Sequence, residues 1–518
     1  MEVGKAGYKA KGGSGFAVAV WKAGRSALNS AAPWPEPETA QERVLGIQRK
    51  LHKWASDDRG RRFSDLHNLV CDPATLLVAW QRVRANRGSR SAGVDGQNAY
   101  YVEQVLGVER FLGELREELR SGSFRPAPVK ERQIPKRGGK RRRLGIATVR
   151  DRVVQAALKL VLEPIFEANF QPCSYGFRPG RRAHDAVAEV RHFASHSYEW
   201  IVEADIEACF DRLDQAALVR RVRERVADRR VLALVKAFLK AGILTEHGGF
   251  EATVTGTPQG GILSPLLANI ALAALDEHFA RAWEAMGPSE WERRKRRRRG
   301  EATYRLVRYA DDFVVLVYGR RGQAEALVPE IRAALAPLGL TLSGEKTRVS
   351  HIDEGIAFLG WRIQRHRGRN GRRYVYTYPA KQSLQAVKAK VKTITRAGHN
   401  ETLGQLLYRL NPVLRGWCSY FRGGVSGRTF SYLRAYTWRR VVCWLHRKHP
   451  KANWGWLLRR YLLRWWPTDG ETTLFDPGAV QIVYYRYRGA KIATPWEQGR
   501  LHRDPAQQLE RLQTLIAR

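Results

Sequence analysis

Two adjacent carboxylates, Asp311 and Asp312, sit between Tyr304-Arg305-Leu306-Val307-Arg308 and the apolar run Phe313-Val314-Val315-Leu316-Val317. Apolar, β-branched residues on both sides of a tight polar break predict a hairpin with the acids at its turn. A second acid-bearing strand is predicted upstream, in Trp200-Ile201-Val202-Glu203-Ala204-Asp205-Ile206. Carboxylates on a rigid turn hold hard divalent cations through oxygen, and phosphoryl transfer to a nucleotide requires such cations. Any one of these acids alone reads as an exposed turn residue. A strand ending in Asp, followed by a separate hairpin with two more, is far harder to obtain by chance.

Other groups suit the same chemistry. Thr255-Gly256-Thr257-Pro258-Gln259-Gly260-Gly261-Ile262-Leu263-Ser264-Pro265 joins a glycine turn and a polar amide, Gln259, to a following helix. Its glycines let backbone approach a ligand closely. Lys136 and Arg142 lie on a basic hairpin, Ile134 to Ile146, where a point charge and a guanidinium fork would neutralise a triphosphate. Six bases cluster there, so Arg142 and Arg143 both stand for the second role. Lys346 is placed to hold a primer end or a phosphate. The run Arg293-Arg294-Lys295-Arg296-Arg297-Arg298-Arg299 reads as a solvated loop that attracts nucleic acid without specific readout.

These residues need a frame. Residues 1 to about 38 are rich in Gly, Ala, Ser, Lys and Pro and read as a disordered leader. Helical periodicity starts at Glu42, and a second helix begins at Asp72, a cap before Pro73. Asp151 to Phe166 reads as an amphipathic helix. Helices over Val231 to Ala241 and Leu263 to Arg281 separate the acid-bearing strands, which must pair non-locally, and this pattern indicates an α+β core. Beyond about Tyr378 the strand signal ends and helices follow: Gln382 to Thr395, Thr402 to Tyr420 and Thr429 to His446. Half of the 16 tryptophans fall after residue 400. Aromatics mixed with arginine suit base stacking, and for any single Trp they suit a helical core better.

Composition narrows the partners. Among 518 residues Lys and Arg outnumber Asp and Glu by 90 to 50, a net charge of +40. So large an excess points to a polyanion, because neutralised phosphates release counterions. No apolar run approaches the ~20 residues of a spanning helix, which argues against a membrane and for a soluble, intracellular protein. Five cysteines show no C-x-x-C pairing and read as reduced thiols rather than disulfides or zinc ligands.

The ordered motifs complete a resemblance. Ala92-Gly93-Val94-Asp95-Gly96, Ser174-Tyr175-Gly176-Phe177-Arg178-Pro179, the Gln259 string, Tyr309-Ala310-Asp311-Asp312 and Phe358-Leu359-Gly360 occur in that order. Over roughly residues 42 to 496 this is similar to group II intron-encoded reverse transcriptase/maturases. Leu410-Asn411-Pro412-Val413-Leu414-Arg415-Gly416-Trp417-Cys418-Ser419-Tyr420-Phe421-Arg422 resembles the family's helical thumb, or maturase, segment, with Arg415, Trp417 and Arg422 as candidate nucleic-acid contacts beside Arg293, Arg294 and Lys295. The resemblance implies a right-hand polymerase. Its fingers and palm, with an N-terminal extension, would span 41–375, the thumb 376–450, and a small DNA-binding segment and tail 451–518.

It further implies an RNA-directed DNA polymerase that binds its intron RNA, promotes splicing, stays with the excised lariat and copies the intron into target DNA from deoxynucleotides. Two Mg²⁺ ions, or Mn²⁺ in their place, would be held by Asp205 and Asp311, with Asp312 peripheral and the Ile206 carbonyl completing a shell. Phe210, five residues after Asp205, would lie beneath the sugar and exclude a 2′-hydroxyl, and Phe358 to Trp361 would be the primer-grip hairpin. The resemblance also implies a cytoplasmic bacterial protein, at the nucleoid when engaged with DNA, and leaves monomer and homodimer both open. The 22 residues after Trp496 contain no cysteine and lack a metal-stapled endonuclease pattern, so no second-strand nicking is expected of this chain. Two rivals share the palm: a maturase-only splicing cofactor with a silent polymerase, and a domesticated enzyme of repair or defence. Three intact metal acids count against the first.

Overall fold

The computed structural model describes residues 34–135, 141–396, 400–489 and 492–497. Lys136 lies outside them, as does the leader up to residue 33. Along the chain run α1 (Pro37–Asp57), α2 (Pro73–Ala85), β1 (Val129–Pro135), β2 (Arg141–Ile146), α3 (Val149–Glu167), α4 (Ala183–Ser195) and β3 (Trp200–Asp205). Next come α5 (Arg229–Leu239), β4 (Ile243–Leu244), β5 (Phe250–Glu251), α6 (Ser264–Ala285), α7 (Glu290–Arg298), β6 (Thr303–Tyr309) and β7 (Asp312–Tyr318). The rest comprises β8 (Arg348–His351), β9 (Ile356–Phe358), β10 (Trp361–Arg367), β11 (Arg373–Pro379), α8 (Lys381–Arg396), α9 (Leu403–Phe421), α10 (Gly427–Lys448), β12 (Leu462–Leu463), β13 (Trp466–Asp469) and β14 (Thr472–Thr473). The described residues divide into two compact units: 34–169 with 219–266, Trp496 and Glu497, and 170–218 with 267–495.

In the first unit α1, α2 and α3 pack together, and four strands form a sheet of order β2-β1-β4-β5. Helix starts follow the caps in the sequence. Asp72 accepts a hydrogen bond from Ala74 N before Pro73, and Asp228 accepts from Arg230 N and Val231 N at the start of α5. The expectation of an amphipathic helix at Asp151 to Phe166 is corrected: α3 is buried on nearly every face. The polar residues that this burial encloses are satisfied by distant backbone: Arg152 donates to Gly88 O and Gln155 accepts from Ile262 N. Asp151 is one of these. It accepts from Ala127 N and the Thr148 hydroxyl, and burial pushes its carboxyl up from 3.8 to about 6.

A carboxyl raised in the fold favours folding when protonated, so its contribution is lost as pH rises from about 4 through 6. Measured against Asp151→Asn, wild-type stability is therefore expected to fall by about 2 kcal/mol between pH 4 and pH 7.5. A pH-independent difference in urea unfolding would exclude this.

The second unit is built on an antiparallel sheet of order β6-β7-β3-β8. Its apolar core runs from Ile201, Val314 and Leu316 through Trp361 of the β11-β10-β9 sheet to Leu406, Leu410 and Trp444 of the helices. Strand structure does not stop at Tyr378. A small sheet, β12-β13-β14, follows α10, its strands of two to four residues too short for alternation to be read. Near the C-terminus, Tyr485 donates to Asp185 at 2.9 Å, Arg488 pairs with Asp185 at 2.6 Å, and Tyr487 bonds Glu189 one turn further along α4.

The basic run is a second correction. It is helical, as α7, started by a capping box between Ser289 and Glu292. Arg293 stacks on Trp283 at 4.6 Å and Arg297 on Tyr318 at 4.9 Å, so both are largely committed. Arg294, Lys295, Arg298 and Arg299 stay exposed. Tyr318 is six residues along β7 from Asp312, so α7 lies at the end of the sheet opposite the acids, about 20 Å away.

Candidate active site

Asp205 ends β3 and Asp312 begins β7, and the two are register partners across neighbouring antiparallel strands. Asp311 is the second residue of the two-residue turn between Tyr309 and Asp312. Ser343 N donates to Asp205 O at 2.8 Å and Glu207 N to Thr341 O at 2.9 Å, flanking the bridge of Ile206 to Leu342. Ile206 therefore gives that strand neither its N–H nor its C=O, and its carbonyl lies on the β7 side. Lys346 forms an ion pair with Asp205, and Asp312 and Asp311 also act on it. The hydrogen bond it donates to Asp205 leads in raising the ammonium's pKa, so Lys346 is charged at any working pH.

Among the described residues no group of three or more acids, histidines or cysteines is closed to chelating distance. What the structure does show is three hard oxygen donors acting on one cation, which is the donor chemistry a divalent ion takes. Cys209, beside Asp311, Asp211 and Asp205, is no rival nucleophile: burial pushes its thiol up to about 12. Phe210 is half-buried in the helical turn Cys209–Arg212, which opens at Ala208 with φ +47°.

The turn that carries Asp311 is strained. Ala310 has φ +58° and Asp311 does not lie at positive φ, the pattern of a type II′ turn where Gly is usual. A left-handed Ala costs about 1–2 kcal/mol. Arg308 holds it there. Fully buried, it donates to Ala310 O at 2.8 Å, to Asn269 Oδ1 at 3.0 Å and to Ser174 Oγ at 2.8 Å, and it makes a bidentate pair with Asp276 at 2.7 and 2.5 Å. Burial lowers its pKa, Asp276 more than restores it, and the net shift is upward. Asn269 also donates to Gly176 O at 2.8 Å, and Cys173 to Tyr175 run beside β6 at Arg308.

Gly176 lies against the turn itself, where a Cβ would collide with the Ala310 nitrogen. Gly176→Ala is thus expected to slow DNA synthesis about 100-fold, the cost of displacing a reacting group by about 1 Å. Single-turnover extension would measure it, with Gly113→Ala, in open space, as the silent control.

The first unit holds another part of the predicted set. Arg142 Nε donates to Gln259 Oε1 at 2.8 Å, and Gly145 N to Gln259 O at 2.7 Å. Gly260 has φ +106°, and a Cβ there would stand 2.9 Å from Gly145 O, so the glycine is required. Arg143 is committed to Glu131 at 2.6 Å and Glu251 at 2.7 Å, which leaves Arg142 as the base that faces Gln259.

The thumb candidates divide. Trp417 packs on Phe421 at 4.6 Å and on Phe430, so it is a core ring rather than a free stacking platform. Arg415 lies over Phe475 with its surface open, and Arg422 is exposed. Phe358 to Trp361 does form a hairpin tip, between β9 and β10. Sequence reasoning gave no role to Arg308, Asp276, Asn269, Ser174 or Gly176. The available signal was an arginine inside a predicted core strand, three residues before the acids.

Comparison with known proteins decides the family. Residues 134–363 match the reverse transcriptase (RNA-dependent DNA polymerase) family, and residues 384–462 match the group II intron maturase-specific domain. Protein YkfC of Escherichia coli K12 is 37% identical over 374 residues, 67% of this chain and 97% of that protein. The chain belongs to the group II intron-encoded reverse transcriptase/maturases.

Among this family's members, the group II intron-encoded protein LtrA of Lactococcus lactis subsp. cremoris is 28% identical over 371 residues, 62% of this chain and 60% of LtrA. An uncharacterized 91 kDa protein in the cob intron of Schizosaccharomyces pombe is 28% identical over 437 residues, 70% of this chain and 52% of that protein. The chain thus spans little more than half the length of these two. As a group II intron-encoded reverse transcriptase/maturase it joins an RNA-directed DNA polymerase domain, of a class that uses divalent metal ions, to a maturase domain on a mixed α+β frame. No helix among the described residues is long and apolar enough to cross a membrane.

Proposed function

We propose that the chain copies RNA into DNA at the carboxylate end of β3 and β7. The same chain binds its own group II intron RNA, promotes its splicing and copies the intron into a DNA target. The observation that carries this reading is the register pair Asp205–Asp312 with Asp311 in the adjoining turn, all three acting on Lys346. Asp205, Asp311, Asp312 and the Ile206 carbonyl would hold two Mg²⁺, or Mn²⁺, which when bound activate the primer hydroxyl and neutralise the triphosphate.

The chain's own groups do the rest. Lys346 neutralises the acids while the site is free and offers its ammonium to a phosphate or primer end when a nucleotide is present. Lys136, Arg142 and Gln259 bind the incoming deoxynucleotide, with Arg142 as the guanidinium that the Gln259 amide orients. The thumb, with Arg415 and Arg422, and the exposed bases of α7, Arg294 and Lys295, grip intron RNA, and the segment from about residue 451 reaches DNA. The place of action is the bacterial cytoplasm, at the nucleoid during insertion.

The test is primer extension on an RNA template with deoxynucleotides and Mg²⁺, beside splicing of the intron precursor at limiting Mg²⁺. Long cDNA and faster splicing support the reading, and splicing without cDNA would leave a maturase alone. Within the same assay, Phe210→Val is expected to reduce discrimination against ribonucleotides by about 10- to 200-fold, the range a volume change in a pocket provides. Unchanged kcat/KM ratios for the two sugars would remove Phe210 from that role.

A further inference from the structure

In the second unit a cavity of about 690 Å³ opens between the end of α4, β11 and the segment around Tyr484. Its wall combines two kinds of group. Tyr374 and Tyr376 stand two apart on β11, hence on one face, with ring centroids 6.2 Å apart, and both are over a third exposed. Tyr484 is 68% exposed and is met by the Arg191 guanidinium at 4.3 Å. His192 stacks on Tyr487 at 4.5 Å, and Tyr487 in turn is anchored to Glu189, so this side of the wall is braced.

The second kind is cationic. Arg365 is spent on Glu199 and Asp353. Arg191 and Arg373 form no ion pair among the described residues, and Arg373 acts only at a distance on Asp353, which Arg365 already holds. Two guanidinium groups without a carboxylate call for an anion, and the neighbouring rings call for a flat π face. A nucleotide carries both. Only Ala194, Val375 and Val425 of the wall are aliphatic; the rest of its apolar surface is largely aromatic and interleaved with polar groups, which suits a base better than a lipid chain. The volume falls within the range of about 300–1,000 Å³ of small-ligand sites.

We propose that this cavity takes one unpaired nucleotide of a bound single-stranded RNA, its base on the tyrosines and its phosphate at Arg191 and Arg373. Proteins read single-stranded RNA by splaying bases onto Tyr, His and Arg faces, and the 2′-hydroxyl separates RNA from DNA. Ser195 and Ser197 line the same wall and supply hydroxyl partners for that group. The assignment rests on the reading of the chain as an RNA-binding polymerase and adds to it a subsite apart from the carboxylates.

The test uses the full chain and a 20-nucleotide single strand carrying 4-thiouridine, or 4-thiothymidine in the DNA version, crosslinked and mapped by mass spectrometry. Labelling is expected at Tyr374, Tyr376 or Tyr484 with RNA, reduced at least fivefold in Arg191→Glu and in Tyr484→Ala, while extension of a short primer stays at the wild-type rate. Labelling elsewhere on the chain but not at these residues would overturn the subsite and leave the polymerase reading standing. Equal labelling by the DNA strand would overturn its assignment to RNA. No labelling anywhere would overturn subsite and RNA binding together.

Discussion

Asp311→Asn is expected to reduce cDNA synthesis by at least 10³-fold, about 4 kcal/mol in the barrier, with the fold unchanged. The amide keeps the shape of the side chain but carries no charge, and it offers a metal one oxygen where a carboxylate offers two. Asp311 is partly exposed and forms no ion pair among the described residues, so thermal melting of the variant should match wild type within a degree or two. Splicing assistance should also survive, because it draws on the RNA-gripping surfaces rather than on the acids. Loss of splicing in parallel with cDNA synthesis would show that Asp311 supports the fold. Full retention of cDNA synthesis would remove the two-metal reading altogether.

The second large effect is expected at Arg308. Arg308→Met leaves Asp276 charged and unpaired in the interior, a loss of about 3–5 kcal/mol. It also removes the donor to Ala310 O that holds a strained turn. Stability and positioning are separable. In Arg308→Met/Asp276→Leu no charge is buried, so most of the stability should return, as apolar replacements of buried pairs generally allow. DNA synthesis should not return with it, since nothing then holds Ala310 O. The readouts are urea unfolding and single-turnover extension with saturating nucleotide, with kcat falling and KM for nucleotide little changed. Recovery of kcat in the double variant would reduce Arg308 to a structural role.

The acids were readable because β3, β6 and β7 are long enough for apolar runs to mark them and because carboxylates interrupting such runs have few other uses. The clamp beneath them was not. Arg308 meets partners 32, 39 and 134 residues away, and nothing local names them. The burial of α3 was missed because what covers it comes from elsewhere in the chain. The basic run was read as a loop since its charge hid a capping box and two aromatic seats, Trp283 and Tyr318. Trp417 followed the blander expectation for a lone ring in a helix and joined the core. Choosing Arg142 over Arg143 needed the carboxylates of Glu131 and Glu251, which only the folded hairpin brings to Arg143.

The hold of Tyr485, Tyr487 and Arg488 on α4 has a consequence in time. Asp185 waits 300 and 303 residues for its partners Tyr485 and Arg488, and at about 5–20 residues per second a ribosome needs roughly 15–60 s to supply them. Glu189 already serves Arg305 of β6 and Tyr175 beside it, on the strand that leads to the Ala310 turn, and it too waits for Tyr487. The helix that packs on β6 and β7 therefore receives its last partners late, although Asp205, Asp311 and Asp312 are translated long before. If the three acids copy RNA as proposed, a nascent chain carries them well before α4 is locked, and translation sets when copying begins.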